Sequence, residues 1–305
     1  MTSTHSYQRI LETSRRVNWD LGALFGETRC LDFARPFLPE SLARTEPLVF
    51  LSAAEKLKLN HIRARGYLAL FELVEAFVVT FVAQRATERL RDEPFRSPAL
   101  ENFVAEEEKH RRLFGAMLRE FDARFGTPCG LIGPAEDICR AILSHAPVAV
   151  AITILGLEWM SQGHYLQSIK DDHDLDPQFK NLLKHHWIEE AQHAKLDALL
   201  LEQLARELSP QAAEAALQEY FEIGSFLDAG LQQQATFDLE SLEKAVGRVL
   251  APAERQRFLQ VQHAALRWTF LGTAMLNPNF LAALSAVSGA AARRVEQAGS
   301  AFASH

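Results

Sequence analysis

Two short stretches of this chain repeat each other: Glu106-Glu107-Glu108-Lys109-His110 and Glu189-Glu190-Ala191-Gln192-His193. Each is an acid pair followed by a histidine, inside a run of helical periodicity. A Glu-x-x-His spacing sets a carboxylate and an imidazole about 60° apart around a helix and one turn along it, so both can reach one ion. Helices that share such an ion must lie side by side. That requirement constrains the fold more than any other feature.

Upstream of each motif stands a glutamate in a stretch that is otherwise apolar all round: Glu72 between Leu68 and Val79, and Glu158 between Ala151 and Met160. An unpaired carboxylate in an apolar interior costs several kcal/mol even after relaxation. Two such glutamates plus two Glu-x-x-His pairs are best reconciled by divalent cations that neutralise the group. Glu72 precedes Glu107 by 35 residues and Glu158 precedes Glu190 by 32. These lengths suit two antiparallel helices and a loop, with ligands meeting at mid-height. Glu75 shares the face of Glu72; the offset favours Glu72, leaving Glu75 to hydrogen-bond within the core. Likewise Glu107 is preferred to Glu106.

The second motif extends backwards to His186. The spacing His186, Glu190, His193 returns a helix to within about 20° of its starting direction, so all three face one point. The expected ligand set is Glu72, Glu107, His110, Glu158, His186, Glu190 and His193. Oxygen and nitrogen donors without thiolate suit iron or manganese. Glu106 and Glu189, each four residues before a ligand histidine, are placed to accept the far N–H of an imidazole on the partner helix, and Asp197 is a further candidate. Glu108 and Lys109 read as a solvated face, His164 and His185 as surface or core polar residues, and His173-Asp174 as a solvated loop.

Along the chain, residues 1–50 read as an arm of irregular structure and short helices, punctuated by Pro36, Pro39 and Pro47. Ser52 with Glu55 has the spacing of a capping box and opens a helix running to about Arg91. Ser97-Pro98 opens the next, to about Phe125. A break at 126–134 precedes a short helix to about His145, a helix from Pro147 to about Ile169, and a long one from about Pro177 to Leu208. Further helices are expected at 210–234, 240–250 and 252–287, the last broken at Asn277-Pro278-Asn279. The fold class is all-α in one domain: an arm (1–50), a metal-binding four-helix core (52–208) and additional helices (209–305).

Composition removes other classes. The net charge is −7, with no basic block, which argues against nucleic acid. Three cysteines without paired spacing point to a reduced cytoplasmic protein. The N-terminus lacks a basic-then-apolar signal pattern, and the apolar run Ala146 to Leu157 is too short to cross a bilayer.

With these residues in view, the chain resembles ferritin-like di-iron oxygenases, and among them p-aminobenzoate N-oxygenase and related arylamine N-oxygenases. The general pattern is a Glu, some thirty residues, then Asp-Glu-x-Arg-His; here it reads Glu72, then Glu106-Glu107-Glu108-Lys109-His110, with Glu for Asp and Lys for Arg. The narrower group adds a histidine four residues before the last Glu-x-x-His, as in His186-x-x-x-Glu190-x-x-His193. The motifs span about residues 52–200. The resemblance implies a ferritin-like four-helix bundle with additional N- and C-terminal helices, and two iron ions (or manganese) bridged by Glu107 and Glu190. It also implies O2 as oxidant, an external electron donor, a homodimer, and oxygenation of an amine to hydroxylamine, nitroso or nitro. Arg65, seven residues before Glu72, is a weak candidate for holding a substrate carboxylate. The competing readings are a di-iron hydroxylase or desaturase acting on C–H bonds, and a non-catalytic metal-binding helical bundle.

Overall fold

Ser52 and Glu55 start the most buried long helix as expected: the Glu55 N–H donates to Ser52 Oγ (3.3 Å), and the Glu55 carboxylate accepts from the Ser52 N–H (2.8 Å). The computed structural model describes residues 6–24, 30–88, 93–206 and 208–303. Among them every regular element is helical. In chain order these are α1 (Tyr7–Val17), α2 (Glu40–Ala43), α3 (Ala53–Ala86), α4 (Arg96–Phe125), α5 (Ala135–Leu143), α6 (Pro147–His164), α7 (Pro177–Ala205), α8 (Pro210–Val246), α9 (Pro252–Arg267), α10 (Thr273–Met275), α11 (Pro278–Val287) and α12 (Gly289–Phe302). The expected extension of α3 to Arg91 falls on residues 89–92, outside the described residues.

Helices α3 and α4 pack along each other, as do α6 and α7, and the two pairs meet through α4 and α7. Helix α1 lies on that seam, touching both α4 and α7, while α8 crosses α3 and α6. The four-helix core is therefore closed on one side by the N-terminal helix and on the other by the C-terminal ones. The larger apolar cluster runs through it, including Phe77, Phe103, Phe114, Leu155, Phe179 and Val295, and a smaller one joins Leu59 and Ile62 of α3 to Leu239 of α8 and Phe258 of α9. Full burial of each such side chain contributes roughly 1.5–3 kcal/mol. Helix α3 is long and apolar enough to span a membrane, but 67% of its most apolar window is packed inside the bundle. An all-round apolar helix in a globular protein is a core helix.

Two elements depart from expectation. Helix α8 runs unbroken through 235–239, where an interruption was expected. Ala235, Asp238 and Leu239 are buried at helical spacing, and no glycine or proline interrupts them. Helix α12 was not anticipated; its Ala-rich sequence lacks a strong pattern, and Ser288 Oγ caps it by accepting from the Ala291 N–H at 3.2 Å.

Both α6 and α9 end in a five-residue π-helical segment, Tyr165–Ile169 and Trp268–Gly272. His164, just before the first, bridges the Tyr67 hydroxyl (2.9 Å) and Thr273 Oγ1 (2.9 Å), just after the second. It is a core polar residue, as expected, and burial pushes its pKa down to about 4.

The Arg63–Asp238 pair ties α3 to α8 at 3.3 Å with both side chains buried. Removing one partner of a buried pair leaves an uncompensated charge. Asp238→Ala is expected to lower unfolding free energy by about 3–5 kcal/mol in urea titrations; a loss below about 1 kcal/mol would contradict this description.

Candidate metal centre

Helix α4 carries Glu106, Glu107 and His110; α7 carries His186, Glu189, Glu190 and His193; α3 brings Glu75 and α6 brings Glu158. All nine residues are buried. Donor atoms of six of them fall into two overlapping groups: Glu75, His110, His186 and Glu190, and Glu107, His110, Glu190 and His193; Glu158 lies outside both. In each group the donor atoms lie within 4.8 Å of one another. His110 Nδ1 is 3.0 Å from Glu190 Oε1, 3.8 Å from Glu107 Oε2 and 3.9 Å from Glu75 Oε2. His193 Nδ1 is 2.6 Å from Glu107 Oε1 and 3.4 Å from Glu190 Oε1. His186 Nε2 is 3.1 Å from both Glu75 Oε1 and Glu190 Oε1.

These separations are short, yet most of them are not hydrogen bonds. Glu75 Oε2, both Glu107 oxygens, His110 Nδ1, Glu158 Oε2, Glu190 Oε1 and His193 Nδ1 are all buried without a hydrogen-bond partner. Buried polar atoms almost always have one. Here the lone pairs of different residues are aimed past one another at common points between them, the geometry of donors around a cation. The residues therefore fit a dinuclear metal site, and the oxygen and nitrogen donor set suits iron or manganese.

The outer nitrogens are accounted for. His110 Nε2 donates to Glu189 Oε2 at 3.0 Å, and His193 Nε2 to Glu106 Oε2 at 3.0 Å. Carboxylates accept only, so each bond keeps a proton on Nε2 and turns Nδ1 toward the centre, where it is the atom left to face a cation. Glu106 and Glu189 thus sit where sequence spacing placed them, each across the seam from its own helix. Asp197 does not behave as expected. It is buried, but its Oδ2 has no partner and it hydrogen-bonds to none of the three imidazoles; one turn beyond His193, it lies past the rings it was to orient.

The protons of the metal-free protein show what cations would replace. Burial pushes the Glu158 pKa well up, reinforced by the charge of Glu190 beside it. Burial opposes the charged forms of His110 and His193, but the surrounding carboxylates outweigh it and raise both well above an ordinary imidazole. His186, by contrast, is pushed down to about 4 by burial, offset only in part by Glu190.

The expected ligand Glu72 requires correction. It is half-buried, its Oε1 lies 3.5 Å from where a Cβ on Gly115 would sit, and, unlike Glu158, it has no oxygen among the buried unpartnered atoms. Glu75, one turn further on, takes that place. The signal was present in the spacing: Glu75 stands 32 residues before Glu107, matching the 32 from Glu158 to Glu190. Arg65 does not approach the centre; it forms a two-point ion pair with Asp122 at 2.9 and 3.2 Å. Lys109 is no solvated residue, since its Nζ donates to Glu189 Oε1 at 2.5 Å. Sequence reasoning also missed Ser14, Asn18 and Trp19 of the N-terminal arm, which has no motif to announce them.

A narrow cavity of about 10 Å³, room for one water at most, touches the centre at His186 and is walled by Tyr67, Phe71, Phe114, Ser161 and Leu183.

No protein-family model matches the chain, and no curated protein matches it by sequence. Among solved structures it is similar to a variant of R2-like ligand-binding oxidase anaerobically reconstituted with a Mn/Fe cofactor, with 14% identity and a TM-score of 0.48 over 91% of this chain and 93% of that one. It is also similar to a variant of that oxidase aerobically reconstituted with Fe/Fe, with 14% identity and a TM-score of 0.44 over 88% and 94%.

Two outcomes follow from this geometry. Glu75→Ala is expected to reduce bound iron from about two per chain to one or fewer by metal analysis, whereas Glu72→Ala retains about two; the reverse result would restore Glu72 as the ligand. Metal entry must also displace the protons on His110, His193 and Glu158. Affinity should therefore rise as pH rises, and calorimetry in buffers of different ionisation enthalpy should register release of up to about three protons per chain. An affinity independent of pH would contradict that assignment.

Proposed function

We propose that this protein is a dinuclear non-haem metal oxygenase that uses O2 to oxygenate the nitrogen of a small aromatic amine. The observation that carries this reading is the set of unpartnered buried atoms on two imidazoles, His110 and His193, and four carboxylates, Glu75, Glu107, Glu158 and Glu190, with His186 Nε2 beside them 3.1 Å from Glu75 and Glu190. His186 is also the residue that narrows the sequence resemblance to the arylamine N-oxygenases. Glu75, Glu107, His110, Glu158, His186, Glu190 and His193 would hold the two ions, which supply O2 activation and Lewis acidity when bound.

The chain's own contribution is arrangement and exclusion. Burial of all seven side chains keeps bulk water away from the reacting groups, and Glu106 and Glu189 hold His193 and His110 in one orientation. The cavity at His186 is the candidate approach for substrate. A flat amine exceeds its volume, so Phe71 or Phe114 must swing aside for it to enter, and the π-helical segment that places Tyr165 and Ile169 on its wall is the natural place for movement. Electrons come from an external donor.

The test is to reconstitute the protein with Fe(II), add O2, a reductant and an arylamine panel, and identify products by mass spectrometry. N-hydroxylated, nitroso or nitro products are expected, with activity at least about 100-fold lower in Glu75→Ala. Oxidation at carbon alone would instead establish the C–H hydroxylase reading, and absence of bound metal would overturn both.

A further inference from the structure

The two halves of the centre are related residue by residue. Glu75, Glu106, Glu107 and His110 correspond to Glu158, Glu189, Glu190 and His193, and Lys109 then corresponds to Gln192. The hydrogen-bond relays behind the two imidazoles are equally matched in outline. They differ in what ends them.

Behind His193, Glu106 accepts from the Ser14 hydroxyl at 2.5 Å, and that hydroxyl accepts from Asn102 Nδ2 at 3.1 Å. The relay ends in neutral groups, so Glu106 keeps its whole negative charge. Behind His110, Glu189 accepts from the Lys109 ammonium at 2.5 Å. That ammonium is fixed by Asn18 Oδ1 at 2.6 Å, the Trp19 carbonyl at 3.2 Å, and the Trp19 ring, whose centroid is 4.3 Å away. Glu189 is completely buried and the Lys109 side chain is 12% exposed, so water screens the pair far less than it would a surface pair. On this side the outer carboxylate is neutralised.

We propose that Lys109, seated by the N-terminal arm, is a positioning residue that makes the two metal positions electrostatically unequal, with the His193 position the stronger cation site. A bare carboxylate draws the His193 N–H toward itself and makes Nδ1 the better donor. A carboxylate shared with an ammonium draws less on His110, and the ammonium itself repels a nearby cation. The argument rests on the metal-binding reading above, but it concerns only the relative strength of the two positions.

Co(II) titration of the metal-free protein, followed by calorimetry and visible absorption, separates the two questions. No Co(II) uptake would refute the metal centre itself. The wild type should bind two ions in resolved steps. Lys109→Gln, which gives this half the residue found in the other, should raise the weaker affinity by about 10–100-fold and merge the steps, while Lys109→Arg keeps them apart. Resolved steps of unchanged spacing in Lys109→Gln would overturn the proposal. An independent readout is the paramagnetically shifted imidazole N–H signals of His110 and His193 in the Co(II) protein. Lys109→Gln should move only that of His110 and Ser14→Ala only that of His193. Equal movement of both in either variant would reduce the relays to a structural role.

Discussion

Four carboxylates and three imidazoles buried at one height of a helical bundle cannot all keep their charges without a compensating cation. That single electrostatic constraint organises the molecule. Helices α3, α4, α6 and α7 must present Glu75, Glu107, Glu158 and Glu190 at matching levels, so their loops and registers are fixed by the need for donors to meet. Without a cation, burial raises the pKa of Glu158 and the neighbouring carboxylates raise those of His110 and His193, which shifts all three toward their protonated forms. The orphaned donor atoms left over are the signature of a site built for something larger than a proton.

The surrounding structure serves to hold that arrangement still. Phe103 stacks on His193 with ring centroids 4.1 Å apart, and Phe114 lies against His186 at 5.0 Å. Arg96, buried at the start of α4, donates to the carbonyls of Arg85 and Glu88 at 2.7 Å each and to Gln203, joining the ends of α3, α4 and α7. The N-terminal helix does more than cover the seam. Ser14 of that helix, with Asn18 and Trp19 just beyond its end, completes the relays behind His193 and His110, so the arm and the centre depend on each other. His186 and Lys109 are two departures from internal symmetry that bear on the centre: where the second half has His186 the first has Phe103, and where the first has Lys109 the second has Gln192.

Much of this was legible before any coordinates. The duplicated Glu-Glu-x-x-His motif carried the bundle, the buried donors on α4 and α7, and the hydrogen bonds that Glu106 and Glu189 make across the seam, because helical spacing alone decides which residues share a face. Glu72 and Glu75 share a face too, so periodicity could not separate them; only the level along the axis does, and the equal 32-residue offsets encode it. Lys109 was unreadable for another reason. Its burial depends on the arm folding back over α4, a long-range contact with no local pattern. The same holds for Asp197 and for the continuity of α8, where tertiary packing decides what helical spacing leaves open.

The most direct test of the central claim is a diffraction experiment on crystals of the iron-reconstituted protein, with anomalous differences measured on both sides of the iron absorption edge. The account predicts two peaks inside the bundle, about 3.5–4 Å apart. One should lie among Glu75, His110, His186 and Glu190, the other among Glu107, Glu190 and His193, with Glu158 alongside. No anomalous density in the interior, or iron only on the surface, would contradict it.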